Sequence, residues 1–332
     1  MRFCGSWALT TVSKAGGPEK LAPAWLPPTF GPIPPAETTA SGLKRLTVRY
    51  AIIGGFRPLE LDLYLPDGTA AGSNLPVVVW VHGGGYTGGS RRDFTPWLER
   101  AGQIQRVLDQ GFAFASIDYR LGFEATFPAA LHDLNSALRW LALHAPKIGL
   151  DASRFALWGE SAGGHLASLV ALTQGNAEFA GTNGAPGGVN YQIRALCDWY
   201  GAADLNTIVR PMDGTDESLP ELFRFPPEYF NLGAERWQDA ELRRQASPVT
   251  YVSAAMPPTL RVHGTADQMV PFSQSVEFHD ASLVAGGNCE LLAIDGGDHA
   301  WFGLPQERVN EVVDRSVQFL ASHLTVAPPA SP

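Results

Sequence analysis

The sequence predicts an α/β fold, a mostly parallel sheet with helices on both faces. Three observations predict it. Apolar runs recur, as in the β-branched LPVVVWV at 75–81 and in RFALWG at 154–159; stretches with helical spacing lie between them; and the two alternate from Leu43 onward. A continuous apolar run is what a strand buried on both faces requires. The chain supplies material for one large core, with 45% hydrophobic and 17% charged residues among 332.

Residues 1–42 are rich in Pro, Gly, Ala and Thr, so they read as an extended arm, with Trp25 and Phe30 as side chains that could pin it to the body. LTVRYAI (46–52) and LELDLYL (59–65) alternate with period two and suit edge or antiparallel strands. The buried strand at 75–81 follows, then a helix over 94–110 and a second apolar strand, FAFASID, at 112–118. In 127–145, Leu131, Leu134, Leu138 and Leu141 fall at helical spacing and form a core-facing stripe. After the strand at 154–159 a helix begins at Ala162. Strands are expected at 193–201, 258–264 and 289–295, and helices over 272–285 and 306–324. Residues 204–247 break the rhythm with polar residues, prolines and the aromatics Phe223, Phe225, Tyr229, Phe230 and Trp237. An excursion of that length between core strands reads as a lid over a pocket or as a surface subdomain. The catalytic domain is thus expected over 43–326, with 327–332 as a tail.

Composition removes several classes of function. A net charge of −9 argues against nucleic acid as a partner, because phosphate binding needs a basic surface. No apolar run reaches the length of a membrane span. Cys4, Cys197 and Cys289 are odd in number and lack metal-ligand spacing, so neither a disulfide framework nor a metal site is indicated. The N-terminal stretch lacks the clean apolar region of a secretory signal, which leaves a cytoplasmic location as the expectation. A homodimer stays open.

Chemistry concentrates at GESAGG (159–164). Gly-x-Ser-x-Gly alone is weak evidence, since serines flanked by glycines are common in turns. Here Ser161 follows a buried strand and opens a helix, the setting in which a nucleophilic serine is lifted onto a strained turn at the end of a sheet. A serine hydroxyl needs a base within hydrogen-bonding reach. Of eight histidines, His299 in DGGDHAWFG is the one that a loop after the last strand would return to the strand ends. His165, on the helix after Ser161, reads as packing, and His263, ending a strand, as structural. The base needs an acid to fix its tautomer. Asp267 in HGTADQMVP is the candidate, with Asp295 as fallback, since Asp298 adjoins His299 and adjacent side chains rarely face one another. HGGGY (82–86) follows the buried strand, where side-chain-free residues let N–H groups approach a reacting carbonyl. Gly84, Gly85 and Ala162 are assigned to an oxyanion hole. A glycine-rich turn can also cradle phosphate, but the P-loop and dinucleotide patterns are absent. Tyr86, Trp301 and the aromatics of 204–247 are candidate pocket walls or ordinary packing.

The order Ser161, Asp267, His299 together with VVWVHGGGYTGGS, FASIDYRL, ALWGESAGGHLASLVAL, LRVHGTADQMVP and GGDHAWF resembles the α/β-hydrolase esterases with a His-Gly-Gly-Gly loop. This is the broad hormone-sensitive-lipase-like group, and within it the sequence is most similar to bacterial esterases related to feruloyl and acetyl-xylan esterases. The likeness spans about residues 75 to 302. It implies an eight-stranded α/β-hydrolase sheet and a carboxylesterase acting on short-chain or aryl esters without metal or organic cofactor. Ser161, Asp267 and His299 would carry the chemistry, and Asp118, Tyr119 and Arg120 would form a turn buttressing the site. Glu160 stands where lipase-like relatives commonly have Asp, which favours the feruloyl-esterase-like branch. An arylformamidase on the same triad is the alternative, and a hydrolase-fold binding protein without chemistry is the non-enzymatic one.

Overall fold

The computed structural model describes residues 33–185, 187–208 and 224–325. The strands are β1 (Glu37–Thr38), β2 (Lys44–Ala51), β3 (Leu59–Leu65), β4 (Leu75–Val81), β5 (Ala113–Ile117), β6 (Leu150–Glu160), β7 (Ile193–Trp199), β8 (Thr259–Gly264) and β9 (Cys289–Ile294). They form one sheet in the order β1-β2-β3-β5-β4-β6-β7-β8-β9. The first three strands run antiparallel to their neighbours, and β4 through β9 are parallel. Among the described residues the sheet therefore has nine strands where eight are expected. The addition is β1, in which Glu37 and Thr38 pair with Arg45 and Lys44 along the otherwise open edge of β2. It lies inside the stretch that composition marks as an arm. Trp25, Phe30, Phe223 and Cys4 fall outside the described residues.

The helices are α1 (Pro96–Ala101), α2 (Gln103–Leu108), α3 (Ala129–Ile148), α4 (Ala162–Leu172), α5 (Ala177–Ala180), α6 (Pro227–Leu232), α7 (Ala240–Gln245), α8 (Ser273–Val284) and α9 (Gln306–Leu324). The single helix expected over 94–110 is two, because Gly102 at φ 63° caps α1 through its N–H to the Glu99 carbonyl and starts α2.

Period-two alternation in β4 sorts its side chains between two cores. Val77, Val79 and Val81 pack with Leu131, Leu138 and Leu166 of α3 and α4. Val78 and Trp80 pack on the other face with Leu98, Val107, Val313 and Val317 of α1, α2 and α9. That second core contains a run of edge-to-face tryptophans: Trp80 against Trp158 at 5.5 Å, Trp158 against Trp199 at 5.0 Å, and Trp199 against Trp301 at 5.2 Å. Such contacts add about 0.5–1.5 kcal/mol each beyond area burial. The path from β4 through α1 and α2 enters β5 on one side, and the path through α3 enters β6 on the other. The carboxyl ends of β4 and β6 thus flank the point where strand order reverses, which is where open α/β sheets bind ligands. No helix among the described residues is long and apolar enough to cross a membrane.

Candidate active site

Ser161 stands at the carboxyl end of β6 with φ 52° and ψ −123°, a conformation that costs a non-glycine residue about 1–3 kcal/mol. Its N–H donates to the Trp199 carbonyl at 2.8 Å, and α4 begins at the next residue. The turn is enforced by contact: a Cβ on Gly163 would lie 2.1 Å from the Val81 carbonyl oxygen. Only a glycine lets α4 come that close to β4. The dipole of α4 directs its positive end at the serine.

Two loops bring partners to this turn. After β9, His299 places Nε2 2.9 Å from Ser161 Oγ. Its Nδ1 lies 2.8 Å from Asp267 Oδ2, contributed by the loop after β8. Asp267 Oδ1 accepts the N–H groups of Met269 and Val270, each at 2.8 Å, so the loop folds around its own carboxylate. Burial alone would raise the Asp267 pKa. Donors from His263 and His299, the charge of His299 and the Val270 N–H outweigh it and hold the carboxyl well below the usual carboxylate range. Asp298 ties the two loops together, accepting from Gln268 N at 2.9 Å and His299 N at 2.7 Å. The fallback acid, Asp295, is exposed and meets Thr265 Oγ1 instead of the imidazole.

The glycine loop after β4 closes the other side. Gly84 adopts φ 108° and its carbonyl accepts from Thr87 N and Gly88 N, a turn so tight that a Cβ there would strike the Gly88 carbonyl. A cavity of about 30 Å³ is lined by Gly85, Tyr86, Ser161, Ala162, Ala202, Pro227, Met269, Val270 and His299. Gly85 and Ala162 thus face the space beside the serine hydroxyl. Gly84 does not line it and instead shapes the loop. Larger hollows of about 790 and 730 Å³ open elsewhere, one by Gln174, Arg194 and Pro257, the other by Tyr64, Arg92 and Phe94. Ser253 and His323 line the first, but no hydrogen bond joins them as one joins Ser161 to His299, so chemistry rather than size selects the small one.

Of the expected pocket walls, Tyr86 lines the cavity, whereas Trp301 and the described aromatics Phe225, Tyr229, Phe230 and Trp237 do not. Trp301 is 1% exposed and packs on Trp199 and Tyr200, because φ 64° turns its ring back into the core. Pro227, Met269, Val270 and Ala202 line the cavity without having been singled out. QMVP, immediately after Asp267, was the available signal for two of them.

Surrounding residues fix these groups. His165 Nε2 stands 2.6 Å from the Ala246 carbonyl and its Nδ1 3.0 Å from Tyr86 Oη, so it joins the glycine loop to the chain entering from 240–246. Glu160 is buried beside Ser161 and accepts the Tyr200 hydroxyl at 2.8 Å. Burial pushes its carboxyl up, against the opposing pull of that hydrogen bond. The Tyr200 ring in turn packs 4.7 Å from the His299 ring. The Asp118-Tyr119-Arg120 turn is buried behind the loop: Tyr119 Oη donates to the His82 carbonyl at 2.9 Å, and Arg120 grips Asp133 through two bonds of 2.8 Å.

The sequence profile of the BD-FAE family matches residues 61–282. Esterase LipC of Mycobacterium tuberculosis is 29% identical over 248 residues, which cover 74% of this chain and 58% of LipC. The chain spans about half the length of the curated relatives it matches. Among solved structures, a truncated carbohydrate esterase from gut microbiota aligns with TM-score 0.67 at 25% identity, covering 86% of this chain and 99% of the other. Thermogutta terrifontis esterase 2 phosphorylated by paraoxon aligns with TM-score 0.65 at 25% identity over 90% and 98% of the two chains. The shared architecture is the α/β-hydrolase fold.

Proposed function

Because the chain belongs to the BD-FAE family, we propose that it is a serine carboxylesterase hydrolysing short-chain or aryl esters through Ser161, His299 and Asp267. The observation that carries this reading is the unbroken line of hydrogen bonds from Ser161 Oγ through both nitrogens of His299 to Asp267, beside a cavity faced by Gly85 and Ala162. His299 Nε2, unprotonated, takes the hydroxyl proton as Oγ attacks the ester carbonyl. Nδ1–H donates to Asp267, which stabilises the imidazolium that forms. The developing oxyanion is met by the N–H groups of Ala162 and Gly85, on the loop that Gly84 shapes, each donor worth roughly 2.7–4 kcal/mol. His299 then protonates the leaving alkoxide, and the same imidazole activates the water that releases the acid.

The narrow cavity beside Ser161 supports a short acyl group. The described part of the 204–247 excursion, 204–208 and 224–247, is assigned as a lid on the strength of Pro227 at the cavity wall and the Phe225–Tyr229 ring stack at 4.0 Å, and 209–223 lie outside the described residues. A cytoplasmic location accords with Cys197 and Cys289 being buried free thiols.

Hydrolysis of p-nitrophenyl esters from acetate to decanoate, with methyl ferulate and N-formylkynurenine alongside, tests the reading in wild type and Ser161→Ala. The expected outcome is a short-chain optimum that falls by roughly 10⁶ in kcat in the variant. Formamide turnover exceeding ester turnover would move the assignment to arylformamidase. Ester turnover surviving in Ser161→Ala would dismiss the nucleophile.

A further inference from the structure

Asp267 receives one donor beyond those the reaction requires. His263, at the end of β8, is fully buried, with Nε2 3.2 Å from Asp267 Oδ2 and 2.9 Å from the Val270 carbonyl. Its Nδ1 lies 2.6 Å from Ser275 Oγ. The location of the ring proton follows from the neighbours. Arg261 has donors only, and its Nε stands 3.1 Å from the same Ser275 Oγ, so the serine oxygen accepts there. A hydroxyl has one proton to give, and the acceptor in reach among the described residues is His263 Nδ1. Nδ1 is therefore bare, and Nε2 carries the N–H shared between the Val270 carbonyl and Asp267. Arg261 cannot move to relax this. It is fully buried, bonded to Asp198 Oδ2 at 2.9 Å and to the Gly201 carbonyl at 2.5 Å, and laid over the Phe278 ring. Asp198 in turn takes Ser168 Oγ at 2.5 Å and Gly201 N at 2.9 Å.

We propose that His263 is a positioning residue for the Ser161–His299–Asp267 reaction: a neutral imidazole, its tautomer imposed through Ser275 by the buried Arg261–Asp198 pair, that holds the Asp267 carboxylate in place and shares its charge. The inference rests on the triad reading above. Asp267 Oδ1 is filled by two backbone N–H groups, and Oδ2 by His299 and His263. With every acceptor site engaged the carboxylate has no rotation left. Without His263 more of its charge bears on His299, which favours the imidazolium. The other titratable groups at His299 are Glu160, behind Tyr200, and Asp298 at its N–H.

Two substitutions separate this role from packing. His263→Phe keeps a ring against Phe272 and Tyr200 but removes the donor, and His263→Gln carries an amide N–H to the place of Nε2. His263→Phe is expected to lose about 10- to 100-fold in kcat with little change in KM. The acid limb of its kcat/KM profile moves to higher pH by about half a unit, and the downfield His299 Nδ1–H resonance shifts with it. His263→Gln recovers most of the kcat and returns the limb toward wild type. Ser275→Ala, which keeps the ring and frees its tautomer, shows the same limb shift with a smaller loss, and serves if His263→Phe does not fold. Equal losses in His263→Phe and His263→Gln with the acid limb and the resonance unmoved would reduce His263 to filling and overturn the proposal. Ser161→Ala is assayed alongside, and turnover surviving there overturns the triad reading itself, and this inference with it.

Discussion

At the carboxyl end of β6, Ser161 sits in a backbone that contact enforces, with Val81 leaving no room for a Cβ on Gly163. At the carboxyl end of β8, Gly264 is crowded as well, a Cβ there falling 2.1 Å from the Gly297 carbonyl oxygen, but the Asp267 carboxylate further along the loop is placed by four donors. The first arrangement is all-or-none, since a backbone carbonyl cannot step aside. The second is graded, because each donor can be removed singly and the rest persist. A nucleophile must be held against strain, whereas an acid must be held ionised, and the two strand ends, β6 and β8, use the means suited to each.

The largest effect should come from breaking the graded end at its centre. Asp267→Asn is expected to cost roughly 10⁴-fold in kcat, read by steady-state kinetics on a short-chain ester. A loss under tenfold would mean that the donors around this carboxylate serve the loop and not the imidazole. The variant also loses stability, with a defined pH dependence. A carboxyl whose folded pKa lies below its unfolded value, about 3.9, stabilises fully above that value and loses the contribution as pH falls through the folded pKa. The stability gap between variant and wild type should therefore be widest near neutrality and close in strong acid.

Next in size is Gly163→Ala, which tests the all-or-none end. The added methyl meets backbone from Val81 and His82 at 2.1–2.3 Å, so strand and helix must separate. A destabilisation of about 1–3 kcal/mol by urea unfolding is expected, with turnover falling as Ala162 N–H moves. Unchanged stability would show that the contact is not what sets the turn. The smallest effect belongs to Glu160→Gln. Burial raises the Glu160 pKa in the fold, so the ionised form opposes folding above that pKa and the penalty vanishes as pH falls through it. The variant should gain stability over wild type at alkaline pH and match it in acid, by urea midpoints at both. A loss at alkaline pH would mean that the ionised carboxylate is needed to receive Tyr200.

Much of this is legible in the sequence. Runs such as VVVWV and FALWG declare strands buried on both faces, and the order Ser161, Asp267, His299 names three residues that the fold brings within 2.9 Å of one another in sequence along the hydrogen-bond line. What stayed hidden depends on distances between strands. Trp301, two residues from His299, looks like a pocket wall until its left-handed backbone turns the ring onto Trp199. His263 looks like a strand-end filler because its Nε2 meets Asp267 only after the β8 loop doubles back. The break of the 94–110 helix is marked by Gly102 but not decided by it, since a glycine inside a helical stretch can be tolerated as well as end one.

The parallel half of the sheet has one more consequence, in the order of events as the chain folds. Its pairings are non-local: β4 waits for β6, which lies about 75 residues further along, and the groups around Ser161 come from as far apart as Gly85 and His299. Closing such loops costs entropy before any contact rewards it. No contiguous fragment that stops short of β9 contains the base, so secondary structure can form early while chemical competence requires the chain through His299, beyond β9.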